Sequence, residues 1–195
     1  AGVLAALAST WPLALAAHFR VQWVIGGAIV TAALAARRTR WLDVAAIATL
    51  GHALAWAPEL AARAMPVPAD AVGVRVLLLN VHTESRGFAA VRALIGAVDP
   101  DVVGLVEVDG RWLAELAPAL TAYAGRIEAP RGDNFGVALY ARAPLAGAVE
   151  ALGGPLPSVV AEVTAGAARL SVVLTHPLPP VSAAALTAQA TQLAA

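Results

Sequence analysis

The sequence predicts a mixed α/β fold of the α+β kind, preceded by about three strongly apolar helices. Two near-continuous apolar runs, residues 74–81 and 102–109, enclose a segment whose apolar residues recur at helical spacing. The order is therefore strand, helix, strand. Further strand-like segments follow, too many for a simple doubly wound sheet. Apolar residues make up 59% of the chain and charged residues only 13%, which is half the usual charged share of a soluble domain.

The N-terminal region, residues 1–64, is predicted to span a membrane three times, over residues 3–17, 21–36 and 42–62. A helix needs about 20 apolar residues to cross the hydrocarbon core, with about 17 as a lower bound, so the first two segments are short. Trp23 and Trp41 lie near the expected span ends, as in an aromatic belt. The alternative is a soluble Ala-rich helical hairpin, but residues 25–36 contain only Thr31 as a polar residue.

Three arginines set the expected orientation of these spans. Arg37, Arg38 and Arg40 lie between the second and third segments, and the positive-inside rule places that loop in the cytoplasm. A stiff linker follows at residues 65–73, which contains two prolines. We therefore predict a multi-pass protein of the cell membrane, with membrane lipid as a partner and residues 74–195 as an extracytoplasmic domain.

Charge and cysteine content exclude several classes of site. The formal net charge is zero, so the sequence gives no sign of a broad nucleic-acid-binding surface. The chain has no Cys, which excludes disulfides and thiolate metal sites.

Polar side chains end the first two strands of the second domain. Asn80 lies near the end of the first apolar run and Glu107 near the end of the second. Ligand sites gather where such strands end, so we expect the amide and the carboxylate to lie side by side. Together they could hold one hard metal ion.

The remaining elements follow in order along the chain. We predict a helix over 110–120, a short edge strand over 126–129, a turn at 132–134 and a strand over 135–141. Three more strands are expected over 146–152, 159–164 and 170–175, and a helix over 182–193 closes the chain. His176 directly follows the last of these strands.

Each candidate residue also has a structural explanation. Asn80 could end its strand through an Asx turn, and His176 could be a solvated loop residue. Glu107 is harder to explain in that way, because a buried unpaired carboxylate is costly. Other polar residues are expected to serve as surface groups, turns or helix caps: His18, His82, Asp99, Asp101, Asp109, Asp133 and Asn134.

Four motifs, LLLNV, VVGLVEVD, DNFGVALYARAPL and VVLTHPLPP, resemble the successive motifs of the endonuclease/exonuclease/phosphatase superfamily. This superfamily includes pancreatic deoxyribonuclease, inositol-polyphosphate phosphatases and bacterial sphingomyelinases. The chain is most similar to its bacterial membrane-anchored branch. The resemblance implies a deoxyribonuclease-like four-layer αββα sandwich, of which this chain holds a part.

The resemblance also implies roles for three residues. Glu107 matches the metal-binding glutamate, and Asn80 matches the asparagine that positions metal and scissile phosphate. His176 matches the histidine that hydrogen-bonds the phosphate and protonates the leaving oxygen. The implied cofactor is Mg²⁺, with Mn²⁺ as an alternative. The implied substrate is a phosphodiester or phosphomonoester, in nucleic acid or in a phospholipid or inositol headgroup.

The chain departs from the family pattern after residue 176. The Gly-Asp-x-Asn and Ser-Asp-His motifs of the family are not found. We therefore expect a catalytically incomplete fragment of a membrane-anchored phosphodiester hydrolase. The alternative is a non-catalytic membrane protein whose phosphoesterase-like domain binds a phosphorylated ligand or partner.

Overall fold

The computed structural model describes residues 10–60, 73–165 and 168–195. Within these limits the chain forms two units. One contains residues 10–60 and 180–186, and the other contains residues 73–179 and 187–195. Most of the predicted linker at 65–73 lies outside the described residues, and the domain bounds remain predictions.

The N-terminal unit is helical, with α1 over Trp11–Ala17, α2 over Arg20–Ala36 and α3 over Leu42–Leu60. A tight turn at Arg38, with φ of 50°, follows α2, and α2 and α3 pack against each other. Gly27 permits this packing, because a Cβ there would lie 2.5 Å from Thr49 Oγ1.

The described helices do not support the expected membrane spans, of which residues 3–9 and 61–62 lie outside the described residues. Among residues 10–60, 73–165 and 168–195, we find no helix with both the length and the apolar character needed to cross a bilayer. α1 has 7 residues and α2 has 17, short of the roughly 20 required. α3 has 19 residues, but Asp43, His52 and Glu59 interrupt its apolar sequence.

The second unit contains two sheets. The first sheet is formed by β1 (Val76–Asn80), β2 (Val102–Val106), β3 (Gly125–Ala129) and β4 (Val137–Ala141). Its strand order is β1-β2-β4-β3, with β1 parallel to β2 and the other pairs antiparallel. The second sheet is an antiparallel set of β5 (Leu145–Glu150), β6 (Ser158–Ala165) and β7 (Ala168–Thr175).

Three helices belong wholly or partly to this unit. α4 (Phe88–Val98) connects β1 to β2, and α5 (Gly110–Leu116) follows β2 and runs into a short 3₁₀ turn. α6 (Ala183–Ala194) ends the chain, and its Gln192 contacts Ser158 and Thr175 of the second sheet.

Successive side chains of β2 point to opposite faces of the sheet and contribute to two separate hydrophobic cores. Val103 and Leu105 face the helices, where Trp112 and Tyr140 are fully buried with them. Val102 and Val106 face the second sheet and pack in the cluster that contains Val159 and Leu174. Successive strand residues point to opposite faces, so a strand covered on both faces must be apolar throughout. The result is a helix–sheet–sheet arrangement that agrees with the expected mixed fold.

The predicted elements of the second unit agree with the observed ones to within a few residues. Among the described residues β1 pairs with β2 alone, and Val76 and Leu78 are 54% and 63% exposed. The apolar run resembles that of a central strand, yet strand order makes β1 an edge of its sheet.

Candidate active site

Three strands deliver polar side chains to one place. β1 ends at Asn80, Glu107 directly follows β2, and His176 directly follows β7. Because β1 and β2 are parallel, with Asn80 opposite Val106, their carboxyl ends meet at the same edge of the sheet. The sequence-based expectation that Asn80 and Glu107 lie side by side is confirmed.

Glu107 is the centre of this cluster. Its Oε1 accepts a 2.6 Å hydrogen bond from Asn80 Nδ2 and lies 3.2 Å from His176 Nε2. Its Oε2 lies 3.2 Å from His82 Nδ1. The carboxylate is only 16% exposed, so it is the least solvated member of the three ion-pairing side chains. Asn80, Glu107 and His176, the three predicted site residues, are therefore brought together.

His82 is the residue that the sequence analysis missed. It was expected to be a surface group, and it is indeed 59% exposed, but its ring contacts Glu107. Its backbone N–H donates to Asn80 Oδ1 at 3.0 Å, which is the expected Asx turn. The sequence signal for this contact was that His82 lies only two residues after Asn80. The contact itself depends on the turn after β1, which brings the His82 ring back to the Glu107 carboxylate.

The segment after β1 is tied to the segment after β2 by several hydrogen bonds. Thr83 Oγ1 donates to the Glu107 carbonyl oxygen at 2.9 Å, and Trp112 Nε1 donates to the His82 carbonyl oxygen at 3.3 Å. Arg111 donates to the Thr83 carbonyl oxygen at 2.7 Å. These bonds fix the backbone that carries both His82 and Glu107.

His176 is supported by the Phe135 ring and by a cluster of polar side chains beneath the end of β7. The Phe135 and His176 rings lie 5.6 Å apart, so the aromatic ring forms one wall of the histidine's surroundings. Beneath the strand end, Ser158 Oγ and Thr175 Oγ1 are 2.8 Å apart, and Gln192 Nε2 donates to Thr175 Oγ1 at 2.7 Å. Gln192 and Ser158 are almost fully buried, so α6 anchors the residue that precedes His176.

The loop before β4 also reaches the site. The Arg131 N–H donates to the Val108 carbonyl oxygen, and the Val108 N–H donates to the Gly136 carbonyl oxygen. Asp133 pairs with Arg131, whose hydrogen bond lowers the pKa of the Asp133 carboxyl. Asp133 is engaged by Arg131 and by the Phe135 N–H, in agreement with the predicted turn.

Three other acidic residues have the structural roles expected for them. Asp109 Oδ1 accepts from the Trp112 N–H at 2.8 Å and caps α5, in agreement with the predicted N-cap. Asp99 and Asp101 lie between α4 and β2, at the opposite end of that strand from Glu107.

Comparison with known proteins identifies the family. The model of the Endonuclease/Exonuclease/phosphatase family matches residues 77–195. The chain belongs to this family. The matched range begins within β1 and includes Asn80, His82, Glu107 and His176. The second unit is thus an endonuclease/exonuclease/phosphatase domain of the phosphodiesterase and nuclease type. No curated protein matches the chain.

Solved structures of TDP2 are similar to this endonuclease/exonuclease/phosphatase chain. TDP2 from Caenorhabditis elegans is 22% identical with a TM-score of 0.48, covering 80% of this chain and 54% of its own. TDP2 from D. rerio, complexed with a single-strand DNA product, is 17% identical with a TM-score of 0.46, covering 53% and 46%. The chain thus spans about half the length of these structures.

The residues at the site fit the divalent cation used generally in the endonuclease/exonuclease/phosphatase family. Among residues 10–60, 73–165 and 168–195, no group of three or more His, Cys, Asp or Glu is arranged to hold a metal ion. Mg²⁺, however, keeps several waters and binds through one or two carboxylates together with substrate phosphate. Glu107 supplies such a carboxylate, and the side-chain amide of Asn80 donates a hydrogen bond to it. The donor set is therefore suited to a hard cation with an incomplete protein shell.

Proposed function

We propose that this protein is a Mg²⁺-dependent phosphodiester hydrolase, with Mn²⁺ as an alternative ion. The observation that carries the proposal is the contact of Glu107 with both Asn80 and His176 at the ends of three strands. A partly buried carboxylate that merely ended a strand would not need an amide and two imidazoles around it. The family assignment supports the same class of reaction.

In the proposed mechanism, Glu107 and Asn80 would hold the cation. The chemistry supplied by a bound divalent cation is polarisation of a phosphoryl oxygen and stabilisation of the leaving oxygen. Asn80 also fixes the Glu107 carboxylate through its 2.6 Å hydrogen bond, so that the carboxylate is ordered before substrate binds. This ordering reduces the reorganisation needed when the phosphate arrives.

His176 is proposed to bind the phosphate and to protonate the leaving oxygen. Its ring is 27% exposed and is held between Glu107 and Phe135, so one edge remains open to a ligand. A histidine can donate a hydrogen bond or a proton near neutral pH. The proposed substrates are phosphodiesters or phosphomonoesters, in nucleic acid or in phospholipid or inositol headgroups.

The test is hydrolysis of bis-p-nitrophenyl phosphate and of supercoiled plasmid DNA with and without Mg²⁺, by the chain joined to a segment that supplies the Gly-Asp-x-Asn and Ser-Asp-His motifs. We expect Glu107→Gln and His176→Asn each to lower kcat/KM by at least about 100-fold, because each removes a group that stabilises developing charge. Glu115→Gln is the matched control, since Glu115 lies on α5 and pairs with Arg92 away from the cluster.

Retained hydrolysis in the folded Glu107→Gln protein would contradict the proposed metal role. A folded wild-type protein that carries these motifs and binds Mg²⁺ but hydrolyses neither substrate would contradict the enzyme and favour the phosphate-binding role. Circular dichroism and thermal melting establish that each variant is folded.

We also propose that the N-terminal unit attaches the protein to the cell membrane. The support is the apolar surface of α2 and α3, on which large side chains remain exposed. Arg37, Arg38 and Arg40 lie between these two helices, where they favour binding to anionic lipid.

A further inference from the structure

We propose that Gln192 is a positioning residue for the reaction, which aligns His176 with the leaving oxygen by fixing Thr175. The inference rests on the proposed function, because it concerns the histidine that protonates that oxygen. It begins from the polar cluster beneath the end of β7, in which Gln192 Nε2 donates to Thr175 Oγ1 at 2.7 Å and to Ser158 Oγ at 3.2 Å. All four residues belong to the second unit.

His176 needs such support because it lies just beyond the sheet. The ladder between β6 and β7 ends at the pair of Ser158 and Thr175, so His176 is the first residue that the ladder does not include. Its ring contacts the Glu107 carboxylate and lies beside the Phe135 ring, and neither contact fixes the backbone that carries it. The direction of the His176 side chain therefore depends on how the end of β7 is held.

The polar cluster is buried and its hydrogen bonds are directional. Ser158 is fully buried, and Gln192 is only 5% exposed. The hydroxyls of Ser158 and Thr175 lie 2.8 Å apart, so the amide and both hydroxyls bond to one another in a closed triangle. Buried polar groups add little net stability compared with apolar side chains of the same shape, but they hold their partners in one geometry. The cluster thus fixes the position of Thr175 more than it stabilises the fold.

The cluster also joins three elements at the strand end from which His176 extends. Gln192 lies in the last turn of α6, Ser158 is the first residue of β6 and Thr175 is the last residue of β7. A displacement of Thr175 changes the direction of the ring that follows it. Because a shift of about 1 Å in a reacting group can lower a rate by about 100-fold, this amide is expected to affect catalysis without touching the substrate.

NMR of the 195-residue chain tests the position of the ring. Because the His176 ring lies 5.6 Å from the Phe135 ring, its proton resonances depend on the relative position of the two rings. We expect Gln192→Met, which removes the amide but keeps a side chain of similar length, to shift these resonances, as Thr175→Val should. In the Thr175→Val background Gln192→Met should add little, because both changes remove the same bond. Gln189→Met is the control, because Gln189 lies on the same helix outside the cluster.

Hydrolysis of two substrates tests the effect on the reaction, in the chain joined to the segment with the Gly-Asp-x-Asn and Ser-Asp-His motifs. The sugar oxygen of DNA needs a proton from His176 as its bond to phosphorus breaks, whereas p-nitrophenolate leaves as a stable anion. We expect Gln192→Met to lower the rate of plasmid cleavage by about 10-fold and that of bis-p-nitrophenyl phosphate much less. Thr175→Val should have the same effect and Gln189→Met none. His176→Asn should lower the ratio of the two rates further.

Two results would overturn the inference while leaving the role of His176 intact. One is an equal loss on both substrates or unshifted His176 resonances in Gln192→Met, which would make the amide merely structural. The other is additive shifts in the double variant, since Gln192 would then not act through Thr175. If His176→Asn leaves the ratio of the two rates unchanged, the proposed proton transfer fails as well. Thermal melting establishes that each variant is folded, and Thr175→Val carries both readouts if Gln192→Met does not fold.

Discussion

Glu107 combines an unusual backbone conformation with the most contacted side chain of the site. Its φ is +59°, in the left-handed region that costs a residue with a side chain about 1–3 kcal/mol. The surrounding bonds maintain it, since Thr83 donates to its carbonyl oxygen and Val108, the next residue, is hydrogen-bonded to both Arg131 and Gly136. Such conformations cluster at functional sites, so the strain and the contacts of Glu107 point in the same direction.

Gly136 provides a test of how tightly this backbone is held. A Cβ at Gly136 would lie 1.9 Å from the Val108 carbonyl oxygen, and a backbone atom can move only if the Glu107 segment moves with it. We expect Gly136→Ala to lower the free energy of unfolding by about 2–3 kcal/mol. Urea denaturation followed by circular dichroism measures the change.

Gly104→Ala in the neighbouring strand is the matched control. Its added Cβ would meet only side-chain atoms, Leu78 Cδ1 at 3.1 Å and Leu174 Cδ1 at 3.3 Å. These side chains can shift, so we expect a loss of roughly 1 kcal/mol or less. If the two variants lose the same stability, the loop before β4 does not restrain the Glu107 backbone.

At the residue scale the sequence predicted the placement of Asn80, Glu107 and His176 but not that of His82. The first two follow from parallel strands ending together, which the apolar runs indicate directly. The placement of His82 depends on a left-handed backbone conformation that residues with a side chain rarely adopt, and no local sequence pattern indicates it. The roles of Asn80, Glu107 and His176 themselves remain predictions.

The helices and strands were easier to predict than the order in which the strands pair. The strands of the second unit were expected to within a few residues because apolar runs between Gly and Pro residues are a strong local signal. Pairing order is not local. The sequence therefore did not reveal that β1 is an edge strand, or that β4 inserts between β2 and β3.

The β3–β4 pair contains a buried phenol whose titration should affect stability. Tyr140 on β4 donates a 2.7 Å hydrogen bond to Glu128 on β3. Burial, together with this hydrogen bond, raises the pKa of the Tyr140 hydroxyl above its ordinary value. Because the folded protein holds this proton more tightly than the unfolded chain, the stabilisation is complete below about pH 10 and is lost as the pH rises above it.

We therefore expect the free energy of unfolding of the wild type to fall more steeply above about pH 10 than that of Tyr140→Phe. At about pH 8 the variant should be less stable by about 1 kcal/mol, because it lacks the hydrogen bond to Glu128. Urea denaturation from about pH 8 to well above about pH 10 gives both quantities. Parallel pH profiles for the two proteins would mean that Tyr140 does not contribute to the alkaline loss of stability.

At the scale of the whole molecule, apolar surface distinguishes the two units. Trp112 is fully buried in the second unit, whereas Trp23 and Trp41 of the N-terminal unit are 57% and 58% exposed. On α2 and α3 the exposed set includes large aliphatic side chains on several faces: Val21, Ile25, Ile29, Val30, Val44, Ile47, Leu50 and Leu54. Apolar surface of this extent marks an interaction site, and lipid is the partner we propose for it.

Binding to lipid vesicles tests this partner. The wild-type chain should co-sediment with vesicles that contain anionic lipid, and Ile47→Asp should lower the bound fraction by about 10-fold, since it removes the burial of a large aliphatic side chain. Val149→Asp is the control, because Val149 is 42% exposed but lies on β5. Equal vesicle binding by both variants would contradict attachment through α3.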